Sequence, residues 1–170
     1  MPVREEGVRE PCAAILDILI DPDRGIVEGF FVEIGLLLGT EVLFLSTNDV
    51  RRFGTTVEIA HREVLGPLTE RIRLQEISDS CRPVLSQRIV TESGRFIGRC
   101  RDVQFETKTF RLEWLFPRKW LRWGVALPIH DVVRIGREAI VVRDAVAPKP
   151  VEVSAEASMT LPQLTSEPAT

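Results

Sequence analysis

The chain repeats itself, and that limits its fold more than any other feature. Residues 15–28 align with residues 100–113 at an offset of 85, so that Asp17 falls on Asp102, Ile18 on Val103, Ile20 on Phe105, Asp21 on Glu106 and Glu28 on Glu113. Further on the offset becomes 82, with Leu43 on Val125, Leu45 on Leu127, Asp49 on Asp131, Val50 on Val132, and Phe53-Gly54 on Ile135-Gly136. The three-residue difference falls between Glu33–Glu41 and Phe116–Gly124, which reads as a loop in each copy. Length changes concentrate in loops, so the mismatch is where a diverging repeat would place it.

Both copies alternate apolar and polar residues in strand fashion. In the second copy, Val103/Phe105, Leu112/Trp114 and Val125/Leu127/Ile129 are expected to point inward, and Ala139-Ile140-Val141-Val142 is a short β-branched run. Turn residues separate the runs at Ser93-Gly94, Thr107-Lys108-Thr109 and Gly136-Arg137-Glu138, and at Asp21-Pro22-Asp23-Arg24-Gly25 in the first copy. Proline presets one turn position and glycine frees another. Short strands at this spacing predict a small barrel or sandwich in each copy.

The expected organisation is a first repeat over 1–65, a linker over 66–81, a second repeat over 82–146 and a tail over 147–170. Leu68, Ile72 and Ile77 have loosely helical spacing, so the linker reads as a short helix or an extended segment. The tail is rich in Pro, Ala, Ser, Thr and Glu, and such a composition predicts disorder.

A net charge of −3 hides a split between the halves. Residues 1–80 hold 8 basic and 15 acidic residues, net −7, whereas residues 81–145 hold 13 and 7, net +6. This predicts either an acidic partner for the second half or docking of one half on the other. No apolar run reaches the roughly 18–20 residues of a membrane span. The stretch from Gly29 to Leu45 is broken by Glu33, Gly35, Gly39, Thr40 and Glu41. The start, Met-Pro-Val-Arg-Glu-Glu-Gly, lacks a signal pattern, so a cytoplasmic location is expected. Cys12, Cys81 and Cys100 form no CxxC pair and read as free thiols.

One stretch resembles a known family. Glu92-Ser93-Gly94-Arg95-Phe96-Ile97-Gly98-Arg99-Cys100-Arg101-Asp102-Val103 is similar to the opening of a PRC-barrel domain. Leu127-Pro128-Ile129-His130-Asp131-Val132-Val133-Arg134-Ile135-Gly136, followed by Ala139–Val142, resembles its closing strands. In the first repeat, Asp21–Phe30 and Leu45–Val50 resemble the tandem form, with Ala13 in place of the second glycine and a first strand that would be cut short. The resemblance covers about residues 8–145. It implies an all-β protein of two tandem small PRC-barrel-like β-barrels. It also implies a module that interacts with proteins, or with RNA and protein together, without implying a catalytic activity. Gly98 would permit a bend or a close backbone approach.

Catalytic patterns are hard to find in the residues themselves. HExxH, GxSxG, Walker and GxGxxG patterns are absent, and His61 and His130 fall in different parts of their repeats. No cofactor or metal is expected, and the chain reads as a non-enzyme. The recurring acids Asp17/Asp21 and Asp102/Glu106 read as paired carboxylates or, alternatively, as residues that accept backbone hydrogen bonds at hairpin turns.

The most informative cluster is Phe116-Pro117-Arg118-Lys119-Trp120-Leu121-Arg122-Trp123-Gly124. Arg118, Lys119 and Arg122 interleave with Trp120 and Trp123. Tryptophan and arginine are enriched at binding hot spots, and both also suit phosphate contact and base stacking or the membrane interface. The tryptophans could instead fold back over the end of the barrel. Arg95, Arg99, Arg101 and Arg111 form a second basic set, with Arg99 and Arg101 on one strand face. That set could line RNA or pair with the acidic first repeat. In the first repeat the equivalent loop, Ile34–Gly39, is apolar, which suggests burial against its counterpart or across a homodimer. The expected function is a protein-interaction adaptor with its partner unidentified. The alternative is an RNA- or ribosome-associated factor.

Overall fold

The computed structural model describes residues 1–36, 39–80 and 82–144. Cys81 and the proposed tail over 147–170 lie outside the described residues. Strands dominate, as the alternating pattern led us to expect. The first sheet contains β1 (Pro2–Glu5), β2 (Ala13–Asp21), β3 (Ile26–Leu36), β4 (Gly39–Ser46), β5 (Val50–Phe53) and β6 (Val57–Ile59). The second contains β7 (Arg88–Thr91), β8 (Phe96–Phe105), β9 (Leu112–Lys119), β10 (Arg122–Trp123), β11 (Leu127–Pro128), β12 (Val132–Ile135) and β13 (Ala139–Val142).

The strand order is the same in both sheets. It runs β4-β3-β2-β1-β6-β5 in one and β10-β9-β8-β7-β13-β12 in the other, with β11 also beside β9. The pairs β1–β6 and β7–β13 are parallel. Three register irregularities coincide as well: Ile15/Asp17 matches Cys100/Asp102, Leu19/Ile20 matches Gln104/Phe105, and Val50/Arg52 matches Val132/Arg134, whereas the one at Ile89/Val90 has no counterpart between β1 and β2. Strand β1 has four residues, as β7 does, and pairs on both sides, so the first strand is not cut short.

Neither sheet closes into the barrel expected from the sequence. In the first, β4 leads into a 3-10 turn at Thr47–Asp49, and its end is met by Gly66 rather than by β5. Phe44 donates its N–H to the Gly66 carbonyl at 2.8 Å. Strand β5 has only four residues and pairs with β6 alone. The linker contains a helix, α1 (Ile72–Asp79). It is fastened to the first sheet by Arg71–Asp49 and Arg73–Glu28, and Arg82 just beyond it pairs with Asp23.

Two side-chain directions differ from the expected alternation. Phe105 faces Leu112 and Gln104 faces Trp114, which leaves Glu113 as an extra residue. An extra residue in a strand sends the following side chain to the opposite face. Trp114 is therefore exposed while Leu115 enters the core. Val125 also points outward, because no strand runs between β10 and β11. The segment Phe116–Gly124 is not a loop but most of a tight hairpin, β9 to β10.

A single apolar core spans both sheets. The buried ring of Phe30 meets the half-buried Phe53, Phe105 and Phe110, which pack against that core, with ring centroids in the group 5.3–6.4 Å apart. Beside these rings the sheets are joined through their backbones. Ile26 pairs with Arg111, Val27 donates to the Phe110 carbonyl at 2.8 Å, and Leu112 donates to the Gly25 carbonyl at 2.9 Å. Each pair joins residues near the same place in the two copies, so the contact has the reciprocal form of a two-fold interface. Gly25 and Phe110 also share a left-handed backbone, at φ 62° and 55°. Phe110 tolerates that conformation because its ring packs against the shared core.

Candidate functional site

The residues singled out in the second repeat come together at one corner of its sheet. Arg99, Arg101, Arg118, Lys119 and Trp120 line a shallow pocket of about 250 Å³ with Phe96. Arg122 and Trp123 adjoin it, facing Lys119 and Arg118 across the β9–β10 ladder. Phe96 and Arg88 were not anticipated. Arg88 carried no local signal, because only the register of β7 against β8 sets it beside Arg99.

The hairpin forms a tip of unusual composition. Lys119 pairs with Arg122, leaving Trp120 and Leu121 as a two-residue turn. Such turns need a positive φ at a central residue and favour glycine or asparagine there. Here that residue is Trp120, at φ 57°. Its side chain does not fold back over the sheet: Trp120 is 91% exposed and Leu121 84%. Trp123 is exposed as well, and the Arg118 guanidinium lies 5.5 Å from its ring centroid.

The backbone beneath this surface is close-packed. A Cβ on Gly98 would lie 3.0 Å from the Arg118 carbonyl oxygen. Glycine therefore allows β8 to approach β9 beside Arg118, as the sequence pattern suggested.

Cations at this corner do not pair with the acidic first sheet. Among the described residues, the ion pairs leave Arg88, Arg99, Arg101, Arg118, Lys119 and Arg122 without a carboxylate partner. Arg99 instead donates to the Ser86 carbonyl at 3.0 Å. Arg88 and Lys119 lie 5.3 and 5.7 Å from the Phe96 ring centroid. Arg111 is remote from this set, at the junction of the sheets. In the first sheet, Ile34 of the apolar segment is already in the core, and Leu37 and Leu38 lie outside the described residues.

The recurring acids serve the backbone. Asp17 and Asp102 each accept the N–H of the next residue at 2.8 Å, where their strands bulge. Asp21 accepts from Asp23 and Arg24, and Glu106 from Lys108 and Thr109. The Lys108 N–H, aided by Thr109, holds the Glu106 carboxyl below the usual carboxylate range. His61 begins a 3-10 turn, whereas His130 sits beside Asp131 in another. Cys12 and Cys100 are free thiols, and burial pushes Cys100 up to about 12.

A larger cleft of about 800 Å³ lies between β2 and the segment after α1. Leu19, Ile20 and Val84 form its apolar floor, and Arg82, Arg101 and Arg137 stand around it. Among the described residues, its lining brings no histidine or cysteine to Ser78 or Ser86. No helix among the described residues is long and apolar enough to cross a membrane. Compared with known proteins, the chain matches no family model and no curated protein.

Proposed function

We propose that this chain is a non-catalytic, cytoplasmic adaptor built from two PRC-barrel-like units, and that it binds a protein partner through the β9–β10 hairpin. The family reading is supported by the common strand order, the acid-capped turns and the close approach at Gly98. The observation that carries the binding reading is Trp120. A bulky residue in the left-handed region costs about 1–3 kcal/mol, and a 91% exposed indole recovers almost none of that by burial. Neither property helps the chain to fold, and both suit a contact anchor.

A second reading, an RNA- or ribosome-associated factor, is favoured by the unpaired cations next to exposed aromatic rings. Capture from a native lysate with and without nuclease separates the two. Protein partners should survive nuclease and be lost with Trp120→Ala and Arg122→Ala together. Trp120→Asn should raise thermal stability, since asparagine tolerates a positive φ, and yet lose the same partners. Unchanged co-purifying proteins in both variants would refute the hairpin as the contact. Sedimentation of the purified chain tests a homodimer in the same preparation.

A further inference from the structure

The cations of the second sheet form a row across its strands. Arg88 on β7 is directly opposite Arg99 on β8, and Arg99 is directly opposite Arg118 on β9. Trp123 on β10 extends the row beyond Arg118. Directly opposed residues share a face. Here it is the outer face, because Ile89, Gly98, Cys100 and Pro117 on the other face are buried. Like charges placed in this way repel each other. Among the described residues, the contacts that hold these arginines are a carbonyl and two aromatic rings, and none of them neutralises charge. The Arg118 Nε is buried with no hydrogen-bond partner among the described residues. A row of unneutralised guanidinium groups works against folding and calls for an external anion.

We infer that this row docks the acidic face of an amphipathic helix from a partner protein, which rests on the protein-binding reading above. Spacing favours a helix. Opposed Cβ atoms are about 4.5–5.5 Å apart, so three arginines span roughly 10 Å. Acids at i, i+3 or i+4, and i+7 of a helix span about 10.5 Å at 1.5 Å per residue. An extended chain puts same-face residues about 6.8 Å apart and overshoots the row by roughly 3 Å over two steps. Apolar surface beside the row also matters. Leu121 and Trp123 need an apolar counterpart, which the second face of an amphipathic helix supplies and a nucleic-acid backbone does not. The acidic first sheet, joined through the shared core, would repel a long polyanion more than a short peptide.

The test uses the full chain and a labelled synthetic helix with glutamates at i, i+3 and i+7 beside a leucine stripe. A peptide of the same composition in shuffled order is the control. Fluorescence anisotropy should show salt-sensitive binding, weakened at least about tenfold by shuffling and by Arg99→Gln. Arg99→Gln should also raise the thermal midpoint, because it relieves the repulsion, which a merely structural arginine would not do. Equal binding of the shuffled peptide overturns the inference. So does binding of polyuridylate or of phosphatidylglycerol vesicles while the helix stays unbound. If Trp120-dependent capture of a protein persists but the helix fails, the adaptor reading stands and the helical partner falls. If that capture fails too, both fall.

Discussion

Truncating Phe30 to alanine tests whether the two sheets unfold as one. Phe30 belongs to the first sheet and is 1% exposed, and its ring lies 6.4 and 6.2 Å from Phe105 and Phe110 of the second. Removing a buried phenylalanine ring costs about 3–5 kcal/mol through lost transfer free energy and the cavity left behind. For a chain of this size, each kcal/mol moves the melting temperature by about 2–4 °C, so the expected drop is roughly 6–20 °C. The tryptophans provide a local reporter, since Trp114 and Trp123 lie in strands of the second sheet and Trp120 in its β9–β10 turn. Far-ultraviolet circular dichroism reports both sheets. Thermal melts followed by the two signals should shift together and coincide, although the substitution is in the first sheet. Phe30→Leu, which keeps most of the volume, should shift both by less. If the tryptophan transition of Phe30→Ala stayed at its original temperature while circular dichroism gained an earlier step, the shared core would not be a single cooperative unit.

Two further outcomes follow from local geometry. Gly98→Ala should destabilise by about 1–3 kcal/mol in urea unfolding, because its Cβ would press on the Arg118 carbonyl. Glu106 has its folded pKa lowered by turn N–H groups. Its contribution to stability is therefore present above the ordinary glutamate pKa of about 4.3 and lost as pH falls through the lowered value. Glu106→Gln should flatten that acid limb in denaturant titrations at stepped pH. An unchanged limb would mean that the turn does not discriminate the carboxylate from the amide.

Much of this fold was legible because duplication exposes itself as spacing. The offsets of 85 and 82 located equivalent strands, and the acids at 21 and 106 marked equivalent turns. What stayed hidden depends on pairing between distant residues. Glu113 is an ordinary strand residue until it is known to face no partner, and only then does Trp114 turn outward. Phe110 carries no turn signal, although it adopts the backbone of Gly25, because its ring is retained by side chains from the other copy. Closure was over-read, since strand periodicity says which residues face inward but not whether the end strands meet. At the candidate site, Arg118–Trp123 were found by composition. The row from Arg88 to Arg118 could not be, because three residues separated by 11 and 19 positions become neighbours only through register.

The reciprocal pairing of residues 25–27 with 110–112 bears on valency. Doubling a binding unit ordinarily doubles its sites, and a bivalent molecule can bridge two ligands or cluster them. Here the two copies occupy each other's shared edge, and their segments at the end of β3 and at the end of β9 differ in sequence. One carries Arg118, Lys119 and Arg122 around two tryptophans, while the segment Ile34–Gly39 carries no charge at all. Among the described residues, each chain therefore presents one surface of this kind. On the proposed reading, the duplication yields a monovalent molecule in which the first, acidic copy is an oppositely charged counterweight to the second.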